Sequence, residues 1–332
     1  MNAAWNGKIL KALQLGLPLL LLFLLILLFI YQSDVKRHKQ LHNLNRFLAQ
    51  TEVQDSNSLY HGVKIGLALG GGGAKGFAHI GVVKVLEENH IPIDVVVGTS
   101  AGAVVGVLYA YGFDWYHIQK ILKNVGVALF DFSLSSNGFI QGGKLRELIN
   151  SSVNYLPIQD FSRAFAAVAT DLGSGEVQLL AKGDAGQAVQ ASSSIPAIFQ
   201  PTEIGGHLYV DGGLSAPVPV SQTRQMGADV VIAVDISDRI QAPGSFYQPT
   251  SWFSTIDQTV TILLNKQLMQ ELKKADVVIQ PNIQSVPFFN FLSIDPAVKE
   301  GEEAARRALP KIKEAVRKYK QEHGIKEAVK IV

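Results

Sequence analysis

A nucleophile is available to this chain at Ser100. Residues 98–102 read GTSAG, a G-x-S-x-G pattern, with the serine between a β-branched run at 95–97 and an apolar, helix-type run at 101–111. Glycines on both sides permit a tight strand-to-helix turn with no Cβ in the way, so the hydroxyl is held proud of a sheet and over a helix N-terminus. Taken alone, the pattern is more often an ordinary small-residue turn than an active site. A second feature lies upstream, where KIGLAL at 64–69, a strand-type run, leads into Gly70, Gly71, Gly72 and Gly73 and then into a helical pattern. Four consecutive glycines are costly to order, so the run marks backbone that approaches something closely or takes up positive φ. A strand, a glycine loop and a helix N-terminus together make an anion site, because free amides and the helix dipole point the same way.

Two anions fit that description. The first is a nucleotide phosphate, since Gly71, Gly73 and Gly76 match G-x-G-x-x-G. A dinucleotide fold then requires an acid at the far end of the second strand, whereas here Asp94 begins that strand and Gly98, Thr99 and Ser100 end it. Nor does Lys75 suit a P-loop, because Gly76 follows it in place of Ser or Thr. The second anion is an oxyanion made in place by attack of Ser100 on an acyl carbonyl. Both loops follow parallel strands at the carboxyl edge, where open α/β sheets bind ligands, so the amides of Gly71, Gly72 and Gly73 can meet Ser100 across one crevice.

The elements that must position these groups occupy most of the chain. With 332 residues, 47% hydrophobic and 17% charged, there is material for one large domain and an appendage. A formal net charge of +2 supplies no basic patch, so no nucleic-acid partner is expected. The absence of cysteine excludes disulfides, thiolate metal sites and a cysteine nucleophile, leaving oxygen and nitrogen groups to do any chemistry. Residues 13–31, LQLGLPLLLLFLLILLFIY, form an apolar run of the length that crosses a hydrocarbon core about 30 Å thick. The following QSDVKRHK lacks a small-x-small cleavage site, so the run reads as a retained anchor. Lys8 and Lys11 precede it while Lys36, Arg37, Lys39 and Arg46 follow, and this excess leans towards a cytoplasmic globular part. The expected organisation is a membrane anchor at 1–34, a polar linker or stalk at 35–62 and a catalytic domain with a C-terminal helix at 63–332.

Within that domain, 165–176 reads as two strands joined by a hairpin turn at Asp171, and DVVIAVD at 229–235 as a buried parallel strand. Residues 191–198, carrying Ser192, Ser193 and Ser194, read as a helix N-terminus near the site. Aromatic clusters at 240–254 and 286–294 either cover a core edge or dip into lipid headgroups. A charged amphipathic helix at 300–323 is interrupted at Pro310.

Three blocks in order, GGGAKGFAHIG at 71–81, GTSAG at 98–102 and DGG at 211–213, resemble the patatin-like phospholipases, the bacterial branch of the lipid acyl hydrolases. FAAVATDLGSGE at 165–176 and ASSSIPAIFQP at 191–201 are similar to further blocks of that family. The resemblance implies an α/β chain with a three-layer α/β/α fold and a mostly parallel central sheet, attached here to the N-terminal transmembrane helix. It implies Ser100 as nucleophile, Asp211 as base, the amides of Gly71, Gly72 and Gly73 as oxyanion hole, and Lys75 at a position that is Lys or Arg in the family. Without it, Asp211 before two glycines reads as a turn residue and Lys75 as a solvated charge. His79 and His207 would be needed only for a triad and are read as structural. The function so implied is a membrane-anchored serine acyl hydrolase of (phospho)lipid esters working through a Ser-Asp dyad and an acyl-enzyme, with no cofactor and no metal, a lipid substrate and the bilayer as partners. The alternative is a catalytically silent lipid-binding or scaffold protein on the same fold.

Overall fold

The computed structural model describes residues 59–125, 140–237, 252–284, 286–291 and 294–325. In chain order its elements are β1 (Ile65–Leu69), a 3-10 turn (Gly73–Phe77), α1 (Ala78–Glu88), β2 (Val95–Thr99), α2 (Ala101–Tyr111), α3 (Trp115–Val125) and α4 (Gly143–Ser152). They continue with β3 (Ala164–Asp171), β4 (Val177–Leu180), α5 (Ala185–Ser192), β5 (Thr202–Ile204), β6 (His207–Asp211) and a 3-10 turn (Gly212–Leu214). Then come α6 (Val220–Gln225), β7 (Val230–Val234), α7 (Trp252–Leu272), β8 (Val277–Ile279) and α8 (Ile294–Glu322).

Strands β1, β2 and β7 are buried along their whole length, which is why their sequences are apolar without alternation. Alternation reappears in which core each side chain enters. Ile65, Leu67 and Leu69 of β1 join one apolar cluster together with α1, α2 and α8. Ala68 of β1, with Val95 and Val97 of β2, joins a second cluster that α7 closes through Leu268 and Leu272. Helices therefore cover both faces of the sheet. Parallel pairing links β8 to β7, β7 to β1, β1 to β2 and β2 to β3. Beyond β3 the pairings to β4 and β6, and of β6 to β5, are antiparallel. The expected mostly parallel sheet is thus a parallel block with an antiparallel arm. A hairpin at Asp171 starts that arm: its Oδ1 accepts from the amides of Gly173 (3.0 Å) and Ser174 (2.8 Å), a side-chain-closed turn that reverses the chain too tightly for a crossover.

Two further expectations are corrected. Residues 191–198 do not begin a helix, because Ala191 and Ser192 end α5, whose N-cap is Asp184. Helix α8 runs through Pro310 without a break, held by Ile312 and Val316 in the core and by a backbone-to-backbone crossing on α1. A Cβ on Gly301 would lie 2.0 Å from the Ala78 carbonyl, and one on Gly81 1.9 Å from that of Val298, so only glycine allows the two helices to touch. Among the described residues no helix is long and apolar enough to cross a membrane. The apolar run at 13–31, the stalk at 35–58 and the aromatic cluster at 240–251 lie outside them.

Candidate active site

Register brings the two ends together. At Ala167 and Val168, β3 pairs with β2 and with β4, and at Ala169 and Thr170 it pairs with β6 and with β4. A strand has two edges, so with β4 on one, β2 and β6 share the other and meet head to head. Thr99 is opposite Val168 and Asp211 opposite Ala169. Asp211, which ends β6, and Ser100, which follows the last residue of β2, are therefore brought together across a single step of β3.

Ser100 occupies φ 52°, ψ −119° at the cap of α2, an unfavourable conformation for a residue with a Cβ, worth about 1–3 kcal/mol of strain. Several contacts impose it. Its amide donates to Ser192 Oγ at 2.9 Å, its carbonyl accepts from the amides of Ala103 (2.8 Å) and Val104 (3.2 Å), and Thr99 Oγ1 donates to the Ala216 carbonyl at 2.8 Å. The flanking glycines are required by space, since a Cβ on Gly98 would sit 2.4 Å from the Gly102 carbonyl and one on Gly102 2.2 Å from that of Leu69.

Asp211 is 7% exposed and receives the Ser100 hydroxyl as a side-chain hydrogen bond. Its Oδ1 also accepts the Gly213 amide at 2.7 Å. Burial raises its pKa from 3.8 to about 6, and the hydrogen bonds from Ser100 and Gly213 oppose that rise. The glycines after it serve packing, because a Cβ on Gly212 would lie 2.2 Å from the Val168 carbonyl.

The glycine loop passes beside the serine: a Cβ on Gly71 would be 3.3 Å from Ser100 Cβ. Its amides differ. Gly71 N–H is committed to the Pro217 carbonyl (3.0 Å), while among the described residues nothing accepts from the amides of Gly72 and Gly73. Gly73 has φ +56°, and a Cβ there would meet the Phe288 carbonyl at 2.5 Å, so this position needs glycine twice over. The loop is braced from below by His79, fully buried, whose Nε2–H donates to the Gly70 carbonyl at 2.8 Å.

Ser100 opens into an apolar pocket of about 100 Å³, lined among others by Phe77, Leu145, Phe199, Phe288 and Phe289. The 286–291 aromatics thus line this pocket, and Phe289 remains 44% exposed at its rim. Lys75 is not part of it. Far from being a solvated charge, Lys75 is 4% exposed and faces a separate polar cavity of about 220 Å³ with Asp235, Ser237, Gln280 and Asn282. The loop is the wall between the two, Gly71 against Ser100 and Gly72 against Ile236. His207 lies elsewhere, exposed and paired with Asp171 Oδ2 at 3.0 Å. Among the described residues no three His, Asp or Glu side chains gather at one point that could hold a metal ion.

Sequence reasoning missed Ser192 and Ser193. The run of three serines was visible, but which of them faces Ser100 depends on where α5 stops. A helix that ends two residues later would have turned a different serine inward.

A family model of patatin-like phospholipases matches residues 67–224. An uncharacterised NTE family protein of Mycobacterium tuberculosis is 32% identical over 215 residues, 63% of this chain and 60% of the relative. Lysophospholipase NTE1 of Saccharomyces cerevisiae is 31% identical over 213 residues, 62% of this chain and 12% of the relative. The chain thus spans 60% or less of the length of these relatives. ExoU in its complex with SpcU, from the type III secretion system of Pseudomonas aeruginosa, superimposes with a TM-score of 0.46 at 14% identity, covering 77% of this chain and 53% of that one. The matched stretch, residues 67–224, carries the glycine loop, the serine elbow and the D-G-G turn alike, and over it the chain is similar to the patatin-like phospholipase family.

Proposed function

We propose that this protein hydrolyses fatty-acyl esters of lipids through Ser100 and Asp211. The observation that carries the reading is the register of β3, which brings Ser100 beside the buried Asp211 carboxylate, with an apolar pocket in front and two amides that no described residue claims close by. An acyl chain fills the pocket, and the ester carbonyl oxygen points at Gly72 and Gly73. Ser100 Oγ attacks the carbonyl carbon as its proton passes to Asp211, whose raised pKa makes it a stronger base than a free aspartate while leaving it ionised at neutral pH. The oxyanion is held by the Gly72 and Gly73 amides and by the N-terminus of α2, each amide donor worth on the order of 3 kcal/mol in related chemistry. Collapse expels the alcohol, which takes the proton from Asp211, and leaves an ester on Ser100. Water then attacks that ester, Asp211 accepting its proton, and the fatty acid departs as Ser100 is reprotonated. Gly71 contributes room beside the serine, and Lys75 lies on the far side of the loop.

In this reading the catalytic domain, 63–332, is held at a bilayer by the apolar run at 13–31, with 35–62 as stalk. Full-length protein should stay with membranes on alkaline extraction, and Leu22→Arg with Leu25→Arg should release it. The catalytic reading is tested by treating the protein with a fluorophosphonate and locating the adduct by mass spectrometry. Labelling confined to Ser100 and lost in Asp211→Asn is expected, and a protein that hydrolyses no ester and takes no label would be the silent lipid binder.

A further inference from the structure

Three consecutive serines follow one another at the end of α5, and their hydroxyls have different fates. Ser192 Oγ accepts the Ser100 amide and donates to the Val168 carbonyl at 2.5 Å. Ser194 Oγ bonds the Gln190 carbonyl at 2.8 Å and Thr202 Oγ1 at 2.9 Å. Ser193 Oγ, between them, is shut off from solvent and has no hydrogen-bond partner among the described residues. Its backbone is satisfied, the amide donating to Val189 at 3.0 Å, so the open valence belongs to the side chain alone. Ser193 lines the pocket that holds Ser100, as do Ile195 and Phe199, and the lining is mostly apolar. A buried hydroxyl without a partner costs stability, and the cost is removed if something that enters the pocket completes the bond.

We propose that Ser193 is a substrate contact, its covered hydroxyl turning about the Cα–Cβ bond towards the pocket to hydrogen-bond an oxygen on the alcohol half of the bound ester, beyond the scissile bond. The inference rests on the hydrolase reading and follows by allocating the polar atoms of an ester. The carbonyl oxygen goes to the amides of Gly72 and Gly73. The bridging oxygen takes its proton from Asp211 as it leaves. The acyl chain has no polar atom. What remains for a hydroxyl, able to donate and to accept, is a further oxygen on the alcohol, as in an acylglycerol. Ser193 then sorts esters of hydroxylated alcohols from esters of plain hydrocarbon alcohols, because a site built to bond an oxygen discriminates against the analogue lacking it.

The experiment compares a monoacylglycerol with the ethyl ester of the same fatty acid, on the full chain and on Ser193→Ala. The expected result is a fall of about tenfold in kcat/KM on the monoacylglycerol and less than twofold on the ethyl ester. Tm should be unchanged or higher, because the unpartnered hydroxyl is gone, and the rate of fluorophosphonate labelling at Ser100 should stay the same. Ser193→Cys, with a weaker donor, should fall between serine and alanine on the monoacylglycerol. Equal losses on the two esters, no loss on the monoacylglycerol, or a lowered Tm together with slower labelling would each overturn the assignment. Failure of the underlying reading is seen separately, as an unsubstituted protein that takes no label at Ser100, and would remove this inference with it.

Discussion

Asp211 at the end of β6 and His79 in the first turn of α1 are both buried beneath the proposed catalytic edge, and burial drives both towards neutrality. It raises the aspartate from 3.8 to about 6 and lowers the histidine from 6.5 to about 4. Their surroundings separate them. Asp211 is reached by the hydroxyl of Ser100, which opens to the pocket, and it stays close enough to neutral pH to exchange a proton. His79 gives Nε2–H to the Gly70 carbonyl, and its Nδ1 has no partner among the described residues. It stays an uncharged brace through the physiological range. Burial with a shifted pKa is therefore no mark of catalysis by itself. In the proposed mechanism the distinguishing feature is a transferable proton on the neighbouring group.

The sharpest break in this comparison is Asp211→Asn. It should lower kcat by at least about 10³-fold, as should Ser100→Ala, on the scale of losing a member of a catalytic unit. Stability should move the other way. Because the folded-state pKa of Asp211 lies above its unfolded value, the folded protein binds the extra proton between pH 3.8 and about 6, and the group disfavours the folded state increasingly as pH rises through that window. Removing the charge at pH 8 is worth on the order of 3 kcal/mol before the polarity of the new amide is counted, so urea midpoints for Asp211→Asn should rise. A variant that loses both activity and stability would mean that the carboxylate is needed for folding. The unsubstituted protein should show kcat/KM falling as pH drops through about 6, where Asp211 takes up its proton.

Next in size is Ser192→Ala. It leaves the Ser100 amide and the Val168 carbonyl without their shared hydroxyl, a cost of about 1–3 kcal/mol. The serine would no longer be held at φ 52°, so kcat should drop by roughly 10- to 100-fold with KM nearly constant. Loss of affinity with kcat preserved would assign Ser192 to the substrate and not to the elbow.

What the sequence discloses and what it hides follow the same division between local and long-range causes. Ser100 and the glycine loop are legible because their need for glycine is local: Gly98 and Gly102 must clear backbone a few residues away, or one strand away, wherever such an elbow is built. Asp211 is legible only through family likeness, because its partner is 111 positions upstream and they meet only through the register of β3. Lys75 carries no sign of burial in its neighbours, since the cavity it faces is closed by 280–284 from the far end of the chain. Pro310 misleads for a related reason. A local rule ends the helix there, and the packing of Ile312 and Val316 overrules it. The antiparallel arm has a local origin in the Asp171 turn, but the strand that turn delivers, β4, shares β3 with β6, and no nearby residue announces that.

The smallest effect belongs to His79, and it separates brace from catalyst most finely. A glutamine can keep a donor directed at the Gly70 carbonyl without any titratable group, whereas a phenylalanine fills similar volume and keeps none. With His79→Gln, kcat should fall by no more than a few-fold and the acid limb near pH 6 should not move, because that limb belongs to Asp211. His79→Phe leaves the Gly70 carbonyl short of a donor, loosens the loop that carries the Gly72 and Gly73 amides, and should slow turnover more than glutamine does while leaving the same limb in place. Stability responds with the opposite sign to that of Asp211. The folded-state pKa of His79 lies below its unfolded value, so the unfolded chain binds the extra proton between about pH 4 and 6.5, and the native protein gains stability as pH rises through that window. Glutamine removes this gain, and the urea midpoint of His79→Gln should rise less steeply from pH 4 to 6.5 than that of the parent. If the acid limb of kcat/KM moved with either substitution, the proton that matters would reside on the histidine, and the division between the two buried groups would have to be reversed.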